Sequence, residues 1–299
     1  MRTRHAIEYY SLCFFSSFFC ILPRKLALQL GYFLGRCCWL LGLRKTLVMA
    51  NLKQAIPNSS DSKLRSIGSR AAGNFTRTVI EFLRCSSGDR GVIGSLVTIE
   101  GIEELRNCMS DTKGAVIITP HLGAWAIYFG VLSDAGIPIS LLVGKQHNEK
   151  VDKFIHKIPG ESVEMISKGR SAIKPILAGM NNGRAIVLVA DQHAGKRGIP
   201  SPFLGRKAST LALPSMLVSK FDCPMFFMSG HHIGGGRHSL NIKRIDLPEK
   251  ESVDDFKQVV TDRFNEHIGN AVLKHPDQYF WYHRRWRENY EAEEKTTEQ

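Results

Sequence analysis

His121 and Asp191 each follow a short apolar run, Ala115 to Ile118 and Gly183 to Ala190. Pro120 stops the first run before an apolar, helix-like segment begins after Gly123, which leaves His121 at a strand-to-helix turn. The carboxyl ends of parallel strands are where ligands and catalytic groups collect. An imidazole there can accept a proton near working pH; the same ring can equally be satisfied by neighbouring backbone. Asp191 opens Asp191-Gln-His-Ala-Gly-Lys-Arg-Gly, and Pro202-Phe-Leu-Gly-Arg-Lys-Ala-Ser-Thr continues it. A loop of that composition can offer backbone N–H groups and cations to a phosphate or carboxylate. It has no Gly-Lys-Ser or Gly-Lys-Thr triplet, so it is no P-loop. His231 and His232 are of metal-ligating type, but no third ligand falls at a metal-site spacing. They read as turn residues, and no metal is expected.

These groups need a scaffold, and the pattern around them supplies one. Val97 to Glu100, Gly114 to Thr119, Ile137 to Val143, Val163 to Ile166, Gly183 to Ala190, Pro224 to Ser229 and Leu240 to Ile245 read as strands. Helical segments fall between most of them, at Ile102 to Met109, up to Asp134, Val151 to Ile155, Ser171 to Met180 and Leu211 to Phe221. Such alternation predicts an α/β fold with a mostly parallel central sheet and helices on both faces. Ser209 and Thr210 read as caps of the helix that follows. Upstream, Asn51 to Ile56 ends at Pro57, and Ser59 to Ser62 can cap a helix from Leu64 to Arg84. On that helix Asn74, Thr76, Arg77, Thr78 and Glu81 read as a solvated face. Val253 to Leu273 is amphipathic, and Gln-Tyr-Phe-Trp-Tyr-His-Arg-Arg-Trp-Arg follows Pro276. Aromatics interleaved with Arg suit base stacking or a membrane interface.

The chain of 299 residues can bury one large domain and a small appendage. A formal charge of +12 calls for a polyanionic partner: nucleic acid, an anionic membrane face, or an acidic or phosphorylated carrier. Seven scattered cysteines without a Cys-x-x-Cys pair argue against disulfides and structural zinc and suit a reducing compartment. Residues 1–45 stand apart, with two apolar stretches flanked by Arg and Lys. Tyr9 to Leu22 is short for a bilayer span of roughly 20 residues, while Leu26 to Leu43 carries Gln29 and Arg36. An uncleaved anchor that enters or lies in the cytoplasmic face of a membrane accounts for both. The expected organisation is an anchor at 1–45, a catalytic domain at 46–290 and a polar tail at 291–299.

Separated motifs then line up in order along nearly the whole chain. They are Leu22-Pro-Arg with Gly31 and Gly35, Ala50-Asn51-Leu52 before Pro57, His121-Leu-Gly-Ala-Trp, the two basic stretches after Asp191, and His275-Pro-Asp-Gln-Tyr-Phe-Trp-Tyr-His-Arg-Arg-Trp. The chain resembles the late acyltransferases of lipid A biosynthesis, the lauroyl and myristoyl transferases of the Gram-negative inner membrane. The resemblance implies a glycerolipid-acyltransferase-like sheet at the cytoplasmic face of that membrane. It implies transfer of a fatty acyl group from acyl carrier protein to a glycolipid hydroxyl, with His121 as general base. No cofactor is implied, the thioester being a co-substrate, and no nucleic acid is expected. Arg170, Gln192, Lys196, Arg197 and Trp125 would contact substrate, and Arg284, Arg285 and Arg287 would lie at the interface. One departure stands out: the family's Glu or Asp after the histidine is Ala126 here, and Ala124 replaces a common Asn. Either another acid reaches His121, for which Asp191 is the candidate, or Asp191 only braces its loop. The alternatives are a catalytically degenerate member, or a module that binds membranes, anionic lipids or nucleic acid without catalysis.

Overall fold

The computed structural model describes residues 2–86, 90–111, 114–247, 249–250 and 253–287; the expected polar tail at 291–299 lies outside them. Four helices come first: α1 (Arg2–Ile21), α2 (Arg24–Leu40), α3 (Lys45–Ala55) and α4 (Asp61–Cys85). Pro57 follows α3, as the sequence predicts, and Ser60 caps α4 by accepting a hydrogen bond from the Lys63 amide. The remainder alternates: α5 (Arg90–Gly94), β1 (Val97–Glu100), α6 (Ile102–Asp111), β2 (Ala115–Thr119), α7 (Trp125–Asp134), β3 (Ile139–Val143), α8 (Glu149–Lys157) and β4 (Glu164–Ser167). After them come α9 (Ile173–Asn181), β5 (Ala185–Val189), β6 (Ile199–Phe203), β7 (Arg206–Thr210), α10 (Leu213–Phe221), β8 (Met225–Gly234), β9 (Arg237–Ile245) and α11 (Val253–Lys274).

Seven strands form one sheet in the order β1-β9-β8-β2-β5-β3-β4. Every pairing is parallel except the β8–β9 hairpin. β2 is central and buried at all five residues, and its pleat divides them between two cores. Val116 and Ile118 join one face with α3, α9, α10 and α11, while Ala115 and Ile117 join the other with Leu105 of α6 and Ile127 of α7. This is the expected α/β fold with helices on both faces. β6 and β7 form a separate hairpin where the sequence suggests only a loop: Pro200 and Pro202 lower strand propensity, yet a two-stranded ribbon tolerates them at its edge.

α2 lies close along α4. A Cβ on Gly35 would run into the Ala72 carbonyl, and Phe19, Ala27, Leu28 and Ile80 close a small third core between α1, α2 and α4. The Arg84 guanidinium donates to the carbonyls of Phe19 and Leu22. Outward, α1 and α2 present Tyr10, Phe14, Phe15, Phe18, Leu26, Phe33 and Leu34 to solvent. No single described helix is long and apolar enough to cross a membrane; α2 and α3 together meet that test by length and composition but are bent by 94°.

Several polar residues differ from their expected settings. Asn74, Thr78 and Glu81 of α4 are buried rather than solvated, because this part of the helix is covered by the C-terminal segment at Asp277, the turn at Gly123 and His238 of β9. Thr78 donates to the Gly123 carbonyl and Asn74 to the Asp277 carbonyl. His231 and His232 lie within β8, not in a turn, and His232 packs beside His238 with ring centroids 4.6 Å apart. Ser209 and Thr210 belong to β7 and do not cap α10, whose N-cap is Ala212.

Candidate active site

β2 and β5 are neighbours in register, Thr119 opposite Val189, so the segments leaving them emerge side by side. Their parallel pairing brings His121 and Asp191 together across 70 residues of sequence. His121 Nδ1 lies 2.7 Å from Asp191 Oδ1, and the His121 amide donates to Oδ2 at 3.1 Å. The turn holding His121 depends on Gly123, whose φ of +59° and closeness to the Gly230 carbonyl exclude a side chain. Two further elements pin that turn. The C-terminal segment runs beside it, with the Gly123 amide donating to Gln278 and the Phe280 amide to the His121 carbonyl. From α4, Thr78 closes the other side.

Asp191 is 1% exposed. Burial alone would raise its pKa, but the His121 ring and amide and the nearby Arg285 guanidinium outweigh it, holding the carboxyl below the usual value. Tyr279, also buried, is pushed well above the ordinary phenol range by burial, then by the Asp191 charge and a hydrogen bond to it. The Arg285 side chain is buried, not interfacial as expected. It donates to the Gln192 carbonyl at 3.1 Å and to Thr210 Oγ1 at 2.8 Å, tying the chain after Asp191 to β7 and α11. Burial pushes His283 down to about 4, and its neutral ring accepts the His193 amide at 2.9 Å. A carboxylate bonded to Nδ1 fixes the N–H there and leaves the Nε2 lone pair as the base.

His121 keeps 19% of its side chain exposed, at the rim of a cavity of about 430 Å³. Most of the lining is apolar: Phe82, Phe129, Leu141, Val143, Ile155 and Met165 come from α4, α7, β3, α8 and the start of β4. Such a volume and lining suit an extended hydrocarbon chain. Trp125 meets the His121 ring edge-on at 5.1 Å and stacks on Phe75. Phe280 lies 5.8 Å from the imidazole and completes an aromatic collar with the expected Trp125. Ala126 lines the cavity itself, so this position is apolar wall.

Of the expected substrate contacts, Trp125 and Gln192 line the cavity, Gln192 Nε2 lying 3.5 Å from His121 Nε2. Lys196 and Arg197 sit exposed in a 3-10 turn and do not line it. The reason is the hairpin: Ser209 donates to the Gly195 carbonyl and folds that turn back onto β7. Arg170 begins a 3-10 turn, Arg170–Ala172, and its side chain lies outside the described residues. The expected base-stacking or membrane-interface role of this segment does not fit Tyr279 and Arg285, which are buried behind the site.

Compared with known families, residues 2–288 match the model of the bacterial lipid A biosynthesis acyltransferases. No curated protein matches the sequence.

Proposed function

The chain belongs to the bacterial lipid A biosynthesis acyltransferase family, and from that premise we propose that it moves a fatty acyl group from a carrier thioester to a hydroxyl of a glycolipid, with His121 as base. The observation that carries this reading is the 2.7 Å contact between His121 Nδ1 and Asp191 Oδ1 at the mouth of an apolar cavity. The fatty chain occupies the cavity, leaving its thioester carbonyl at the rim. The acceptor hydroxyl gives its proton to Nε2 as its oxygen bonds to the carbonyl carbon. Charge on the new imidazolium is met by Asp191, which takes the place of the acid absent at Ala126. The carbon–sulfur bond then breaks, the sulfur takes the proton from Nε2, and an ester and a free thiol leave.

Acyl carrier protein, an acidic partner, is the donor that the net charge of +12 favours. The apolar side chains exposed on α1 and α2 would rest on the cytoplasmic face of the inner membrane, where the glycolipid resides. No cofactor takes part in the transfer. The reading is tested by incubating the full-length protein with acyl carrier protein thioester and a lipid A precursor. Thiol release that requires the glycolipid and yields an acylated product supports it. Thiol release that ignores the glycolipid, or none at all, refutes it.

A further inference from the structure

A second cavity, of about 280 Å³, is walled by Lys25, Leu28 and Gln29 of α2, Arg77 of α4, and His232, Gly234, Gly235 and Gly236 around the β8–β9 turn. It shares no lining residue with the cavity beside His121. His232 is 8% exposed, and neither of its ring nitrogens has a hydrogen-bond partner. A buried polar side chain left unpartnered at a cavity wall calls for a hydrogen-bond partner from within the cavity. The three glycines have φ of +92°, +61° and +74°, so the turn meets the cavity as bare backbone.

Charge decides what kind of ligand fits. Behind His232, the wholly buried Glu81 pairs with the Arg24 guanidinium and with His238 Nε2. Glu81, His232 and His238 hold ligand atoms within 4.8 Å of one another, a spacing that a divalent cation could use. Arg24 already neutralises Glu81, however, and Lys25 and Arg77 add two positive charges at the wall, which a dication would have to approach. An anion meets the opposite situation. The Arg77 guanidinium is stacked 4.6 Å over the Tyr32 ring and half withdrawn from water, which orients it and strengthens its field.

We propose that this recess binds a phosphoryl group, held by Lys25, Arg77, a ring N–H of His232 and the backbone of the glycine turn. Burial holds His232 down to about 3, so its ring is neutral and has an N–H to donate. The recess opens beside Leu26, exposed on the same turn of α2 as Lys25, so the phosphoryl group of a lipid and free phosphate are both within reach. The site stands whether or not His121 transfers acyl groups.

The test follows the ring nitrogens of His232 by NMR in the full-length protein while inorganic phosphate, or vesicles of phosphatidylcholine with phosphatidic acid, are added. The expected result is a shift of the His232 signals with phosphate, weakened tenfold or more in Lys25→Gln/Arg77→Gln. Lys25→Gln alone, at an exposed position, gives a smaller loss and guards against misfolding of the double variant. Response to vesicles at lower phosphoryl concentration than to free phosphate identifies a lipid source, and the reverse identifies the soluble anion. No movement of His232 with either probe, an equal response in the variants, or movement with zinc alone overturns the proposal.

Discussion

The His121–Asp191 pair shows how a fold can supply from one strand what a local motif lacks. Ala126 leaves no acid within the His121 segment, and Asp191 comes from the neighbouring strand end with its charge favoured by His121 and Arg285. That preference has a sign in pH. The stabilisation is complete above the ordinary Asp value of about 3.9, and it fades as pH falls through the depressed folded value. The buried histidines act in a higher window. His283, held down to about 4, and His232, held down to about 3, stay neutral when folded but take up protons near their ordinary value of 6.5 when unfolded. Their contribution is therefore full above pH 6.5 and is lost as the medium is acidified toward their folded values. Urea midpoints measured from pH 7.5 to 4.5 should fall on acidification. His283→Gln should flatten that fall, and an unchanged slope would count against a neutral buried ring.

Among the elements, the turn after β2 carries the most consequence because it is held from two sides. Gly123→Ala forces a left-handed residue and a clash with the Gly230 carbonyl, and should cost about 2–4 kcal/mol in thermal or urea unfolding. Thr78→Val loses one buried hydrogen bond and should cost about 1 kcal/mol. A Gly123 variant as stable as the parent would mean that the turn relaxes freely. The strands were legible because apolar runs of four to eight residues lie between helical periods. The β6–β7 hairpin was not, since prolines and cations disguise it as loop. The polar face of α4 was misjudged for a related reason: periodicity reports which residues share a face but not what covers it, and α2, the β8–β9 turn and the C-terminal segment cover this one. His121 and Asp191 were legible as strand-end residues, whereas Tyr279, Phe280 and Arg285 depend on a long-range crossing that spacing does not encode.

For the molecule as a whole, the exposed aromatics of α1 and α2 lie in a strongly basic chain, a combination suited to a surface of anionic lipid. Each Phe that moves from water into the acyl boundary contributes about 1.5–3 kcal/mol, roughly a tenfold to hundredfold gain in partitioning. Phe14→Ser/Phe18→Ser, both at exposed positions, should therefore weaken sedimentation with anionic vesicles by at least about a hundredfold, with the far-UV spectrum unchanged. Binding that depends only on salt, and not on these residues, would assign membrane contact to charge alone.

The turnover of Asp191→Asn tests most directly whether Asp191 orients the His121 base and meets the charge of the imidazolium formed during transfer. The substitution keeps size and shape but cannot stabilise an imidazolium. We predict that kcat for acyl transfer falls by about 10³–10⁴-fold, as the loss of the acid in a His–Asp pair implies, while KM for the thioester stays within about threefold because the apolar cavity is untouched. A kcat within tenfold of the parent, in a variant shown to fold, would contradict the account.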